Sequence, residues 1–145
     1  MINARVKAFY LQQHADSPVL LSTERDVDSL IDVLLEGSEW ENAAELHSLD
    51  RNLLPSGFPD HEFLVGVNRE RYVGVVSYMD EKNFVSLGSS ADSGEDVSYF
   101  IAGNPTEFPL SSEIPLEHVR RAVKEFLSSG GVRPECIQWQ EPEIW

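Results

Sequence analysis

Apolar and polar positions alternate from Ile2 to Tyr10: Ile2, Ala4, Val6, Ala8 and Tyr10 interleave with Asn3, Arg5, Lys7 and Phe9. This period of two predicts a half-buried strand. After a polar turn the period changes. Val27, Leu30, Ile31 and Leu34 fall at i, i+3, i+4 and i+7, which predicts a helix capped by Ser22 or Thr23 and stopped at Gly37. Glu24, Asp26 and Asp28 lie in its first turns, where their charge complements the positive end of the helix dipole.

The middle of the chain reads as an antiparallel meander. Candidate strands are Ala43 to Leu49, Glu62 to Val67, Tyr72 to Met79, Phe84 to Gly88 and Asp96 to Ala102, separated by turn-rich segments. The links Asn68 to Arg71 and Asp80 to Asn83 suit hairpins and are too short for crossover helices. Pro115 then opens a second helix, striped by Leu116, Val119, Ala122, Val123, Phe126 and Leu127 and ended by Gly130 and Gly131. On its outer face Glu117 to Arg121 and Arg121 to Glu125 are spaced for i,i+4 pairs. A last strand, Glu135 to Gln140, puts Ile137 and Trp139 on one face. The expected fold is α+β, in the order β-α-β-β-β-β-β-α-β, with a largely antiparallel sheet of five to seven strands and two main helices.

Composition supports one folded domain over residues 1–145. Hydrophobic residues make up 41% and aromatics 10% of the chain, too many for charge-driven disorder. The single cysteine, Cys136, cannot form an internal disulfide, so folding needs no oxidising compartment. With no apolar block resembling a signal peptide at the amino terminus and no run of about 20 apolar residues, a cytoplasmic location off the membrane is expected.

Charge then narrows the choice of partner. There are 25 Asp and Glu against 11 Lys and Arg, a formal net of -14. Such a surplus opposes folding by self-repulsion and serves either solubility or attraction to a basic partner. Phosphate backbones are themselves negative, so direct nucleic-acid binding is not expected. Asp16 to Glu45 holds nine acids and one base, and Asp80 to Glu117 eight acids and one base. Within these stretches Glu39, Trp40 and Glu41 follow the Gly37 stop, and Asp92, Glu95 and Asp96 lie in or beside a loop; these six are the candidate partner-binding residues. Trp40, flanked by two acids, is hard to bury completely, and Trp is enriched among interface hot spots. Trp145 is open to two readings, a loose terminus or a docking residue.

Catalytic and metal-binding patterns are missing. Gly88 to Asp92 reads Gly-Ser-Ser-Ala-Asp and lacks the closing glycine of a nucleophile elbow. His14, His47, His61 and His118 are scattered without metal-ligand spacing, and no phosphate-cradling glycine pattern occurs. Neither an enzymatic site nor a cofactor is expected.

One set of residues does carry a resemblance. Gly74 and Tyr78, Leu87-Gly88, Tyr99-Phe100, Phe108-Pro109, Ile114-Pro115-Leu116, Val119-Arg120, Ala122-Val123 and Glu125-Phe126-Leu127 are followed by Gly130, Arg133-Pro134 and Trp139. Over roughly Asp60 to Gln140 this string resembles the first family of immunity proteins from bacterial polymorphic toxin systems; the first 55 residues match mainly in the order strand, helix, strand. The resemblance implies a cytoplasmic α+β protein that protects its producer by binding a cognate toxin, commonly one with a nucleic-acid deaminase domain. It supplies no catalytic residues, and its toxin-binding surface does not transfer residue by residue, because cognate specificity rests on variable contacts. The expected function is therefore tight, non-covalent neutralisation of a basic toxin by covering its substrate groove. The alternative is a non-inhibitory acidic adaptor or chaperone for a secreted effector.

Overall fold

The computed structural model of the protein describes residues 4–88 and 94–142. β1 (Val6–Phe9) is followed by a 3-10 turn over Gln12–Ala15 and by β2 (Val19–Leu21). Next come α1 (Glu24–Glu36), β3 (Ala43–Ser48), β4 (Glu62–Asn68), β5 (Val73–Met79) and β6 (Asn83–Ser86). A hairpin of β7 (Asp96–Ile101) and β8 (Asn104–Pro109) then leads to β9 (Ile114–Pro115), α2 (Leu116–Ser128) and β10 (Trp139–Gln140). The class is α+β, as the hydrophobic pattern predicts.

All described pairings are antiparallel. The main sheet runs β10-β6-β5-β4-β3-β1-β2. One edge of β5 is shared end to end: Gly74 pairs with Ile114 of β9, and Ser77 with Val85 of β6. The two helices cover one face of this sheet. Val27, Leu30, Ile31 and Leu34 of α1 and Val119, Val123, Phe126 and Leu127 of α2 pack on Val6, Ala8, Leu46, Phe63, Val65 and Val76. Phe63 and Phe126 stack with ring centroids 4.4 Å apart. The β7–β8 hairpin covers the other face, burying Tyr99 and Phe108 against Ala43, Leu64, Val75 and Val85. β4 and β5 are thus covered on both faces, which is why they read as nearly continuous apolar runs.

Polar contacts fasten these layers. Thr23 caps α1: its hydroxyl accepts the Asp26 N–H at 3.2 Å, while the Asp26 carboxylate accepts the N–H groups of Ser22 and Thr23 at 2.7 and 3.0 Å. The bond from Ser22 is the main reason that this carboxyl is held below its usual pKa. Arg120 and Lys124 of α2 reach across to α1, Arg120 to Asp28 at 2.9 Å and Asp32 at 2.6 Å, Lys124 to Asp28 at 2.9 Å. The second helix therefore uses these bases between helices as well as presenting charge along its own face. On the opposite side of the sheet, Arg71 forks onto the nearly buried Glu113 at 2.7 and 2.8 Å, and the Tyr99 hydroxyl donates to the same carboxylate at 2.7 Å.

Several elements differ from the sequence expectation. Ile2 and Asn3, placed in the first strand, lie outside the described residues. β2 was not expected: it has three residues, and Leu20 within it is exposed. Tyr72 adopts a φ of 54°, in the left-handed region, so β5 starts one residue later at Val73. β8 contains Pro105 and Pro109, which argue against a central strand, yet it is accommodated because its sheet has only two strands. Pro115 sits at the N-cap of α2 while also forming part of β9. The last strand shrinks to Trp139–Gln140, with Ile137 and Trp139 packed at the margin of the helix-side core.

Candidate functional site: an acidic surface along the β7–β8 hairpin

The segment after α1 is folded back on itself. The Glu41 N–H donates to the Ser38 carbonyl at 3.0 Å, and the Trp40 N–H donates to the Ser38 hydroxyl at 3.2 Å. Trp40 is thereby carried to the turn of the β7–β8 hairpin. Its carbonyl accepts the Gly103 N–H at 2.8 Å, and its ring meets Phe100 edge to face with centroids 4.8 Å apart. The neighbouring Asn42 side chain accepts the Phe100 N–H at 2.8 Å and donates to the Val67 carbonyl at 3.1 Å, which ties the hairpin to β4. Even with these contacts Trp40 is 55% exposed. Its ring rests on the hairpin and still offers a broad apolar surface.

Glu95 and Asp96 are at the other end of the same hairpin. Asp96 pairs with Pro109, and the Glu95 carbonyl accepts the Leu110 N–H at 2.9 Å. From Asp96 to Ile101 the strand spans about 17 Å at ~3.4 Å per residue, so the candidates form two groups along one element. Glu39, Trp40 and Glu41 mark its turn, Glu95 and Asp96 its base. Asp92 lies outside the described residues.

A cleft of about 1040 Å³ opens at the base. Leu64, Met79 and Pro109 line it together with Glu62, Glu95, Asp96, Glu107 and Glu141. Glu62 was not singled out from the sequence. Burial, followed by the adjacent Glu45 carboxylate, pushes its pKa up to about 7. Glu45 is held below its ordinary value, chiefly by its hydrogen bond with His47, whose Nε2 stands 3.1 Å from Glu45 Oε2. Nδ1 of His47 is 2.9 Å from the His61 carbonyl and serves as a donor there. The two carboxyls and this imidazole form one hydrogen-bonded cluster on the sheet.

His61 belongs to a different network. Its Nε2 accepts the Ser48 N–H at 2.7 Å and its Nδ1 donates to Asp60 at 2.9 Å, a tautomer that fits the neutral ring. Burial lowers its pKa despite the attraction of Asp60. Asp60 also binds the Arg51 guanidinium at 3.0 and 3.1 Å. Its carboxyl, which burial alone would raise, is held below the ordinary value by His61 and Arg51.

The structure thus sorts the acidic residues. Asp26 caps a helix, Asp28 and Asp32 pair with α2, Asp60 joins a half-buried network with Arg51 and His61, and Glu113 is locked by Arg71 and Tyr99. Glu39, Glu95, Asp96, Glu107 and Glu141 are exposed, while Glu62 lies partly buried beside Glu45. Among the described residues no group of three or more His, Cys, Asp or Glu is placed to hold a metal ion, and no helix is long and apolar enough to cross a membrane. The Cys136 thiol is pushed up to about 11 by burial and then by Glu125, well away from an activated thiolate.

These features describe an acidic α+β protein with charge arrayed beside an exposed aromatic ring. Residues 15–141 match the family described as immunity protein Imm1, and the chain belongs to that family. It is an immunity protein, and the partner of such a protein is a toxin. The match extends back through β3 and α1, where the resemblance read from the sequence rested mainly on the order of elements. No curated protein matches the chain.

Proposed function

We propose that this immunity protein neutralises a nucleic-acid deaminase toxin in the cytoplasm of its producer, by tight non-covalent binding that covers the toxin's substrate groove. The carrying observation is the convergence of Glu62, Glu95, Asp96, Glu107 and Glu141 on one cleft in a chain of net charge -14. A toxin that acts on DNA or RNA needs a positive path for the backbone and a pocket for the base. Carboxylates gathered around one cleft from the hairpin, β4 and the segment after β10 compete for that path without chemistry of their own. The same charge accelerates capture, since steered association reaches about 10⁸ to 10⁹ M⁻¹s⁻¹ at low salt.

The test is deamination of single-stranded substrate by the toxin encoded beside this protein, with increasing amounts of the protein added. The expected result is stoichiometric loss of activity together with a stable complex. Tight binding that leaves deamination intact would overturn inhibition and assign the protein to the adaptor or chaperone class.

A further inference from the structure

The connection from β3 to β4 carries apolar side chains that the core does not use. Leu53 is 62% exposed, Leu54 47% and Phe58 71%, within six consecutive residues. Single exposed leucines are ordinary, but three large apolar side chains on one short turn are not. This turn is held in a defined shape. The Leu54 N–H donates to the Phe58 carbonyl at 2.7 Å, the Gly57 N–H donates to the Leu54 carbonyl at 2.8 Å, and Leu53 bridges to Pro59. Gly57 has a φ of 89°, a conformation that a side chain would strain, and it closes the turn.

Its base is fastened as well. Arg51 grips Asp60 with two guanidinium nitrogens, donates to the Gly131 carbonyl at 3.1 Å, and bonds the Tyr78 hydroxyl. Asp50 is engaged by Arg5 at 3.2 Å. The charges that flank the turn are therefore occupied within the fold, and its outward face is apolar. Holding the backbone of this turn in place before association lowers the ordering cost of binding.

We infer that the Leu53–Pro59 turn is the apolar anchor by which this immunity protein docks on its cognate toxin, inserting Phe58 and Leu53 into an apolar depression on that protein. The inference rests on the reading that the chain binds a toxin, but not on the toxin's being a deaminase. Charge selects the occupant. A net of -14 repels a second copy of the chain and favours a basic partner. Continuity supports the same choice: beyond the turn the chain passes through Asp60 and His61 to Glu62, the first carboxylate of the acidic cleft. An apolar anchor beside a charged rim is the usual anatomy of a tight interface.

The experiment compares binding kinetics of the purified cognate toxin with the unaltered chain, Leu53→Ser/Phe58→Ser, and Leu20→Ser as a control at another exposed leucine. Both altered chains are expected to melt as the unaltered protein does, because the replaced side chains are exposed. The double substitution is expected to raise the dissociation rate by about 30-fold or more, leaving the association rate and its salt dependence within about twofold. The Leu20 control is expected to leave both rates unchanged. Unchanged dissociation of the double variant overturns the anchor while leaving toxin binding intact. Failure of the unaltered chain to bind overturns the toxin reading and the anchor together. A concentration-dependent dimer of the free chain that the double substitution abolishes, with toxin binding unchanged, would assign the turn to self-association instead.

Discussion

The ring of Tyr99 fills the space that a side chain at Gly66 would occupy: a Cβ there would lie 2.5 Å from Tyr99 Cδ1 and 3.1 Å from Tyr99 Cβ. The hairpin is thus seated directly on the backbone of β4. Tyr99 is only 1% exposed, and its hydroxyl is held by Glu113, so the ring has little freedom to retreat. Gly66→Ala is expected to destabilise the protein by about 1–3 kcal/mol through overpacking. Chemical denaturation measures the loss, and amide exchange is expected to rise most in residues 96–109. A variant as stable as the parent would show that the hairpin accommodates the methyl group by shifting.

Glu62 gives a pH dependence whose sign is fixed. Its folded pKa of about 7 lies above the ordinary value of 4.5, so between these values the folded state binds more protons than the unfolded state. The group's contribution to stability is fully present below about pH 4.5 and is lost as pH rises through about 7. Glu62→Gln removes this titration. The variant is expected to gain on the parent in melting temperature as pH rises from about 5 to 8, with little further change above that range. Thermal melts of both proteins across that range are the check, and a constant difference would refute the assigned titration.

Binding rates separate the charged candidates from the aromatic one. Changing Glu39, Glu41, Asp92, Glu95 and Asp96 to their amides is expected to slow toxin association about tenfold at low salt and to flatten its salt dependence, because screening acts on charge. Trp40→Ala is expected to act mainly on dissociation, by about 30-fold if the exposed ring is desolvated in the complex. Stopped-flow measurements at several salt concentrations distinguish the two. Association unchanged by the five amides would leave those charges to solubility.

Local periodicity made the main elements legible. The spacing of Val27, Leu30, Ile31 and Leu34, and that of Val119, Val123, Phe126 and Leu127, marks helix faces that the structure buries. β8 was hidden because Pro105 and Pro109 signal a loop; tertiary pairing with β7 overrides that signal. The exposure of Trp40 could be anticipated from its acidic neighbours, whereas its contact with Phe100 depends on a hairpin distant in sequence. The Glu45 and Glu62 cluster required the β3–β4 register, in which Leu46 pairs with Phe63. The docking turn did leave a sequence signal, since Leu53, Leu54 and Phe58 are large apolar residues in a segment also containing Pro55, Gly57 and Pro59.

The ends of the main sheet are short: β2 has three residues and β10 two. A long open edge would present a ladder of unused N–H and carbonyl groups on which another chain could polymerise. Here such a ladder is cut to one or two steps, and in the separate hairpin Pro105 and Pro109 delete two donors from β8. At the two ends of the main sheet, neighbouring copies are thereby offered little backbone on which to build a continued sheet.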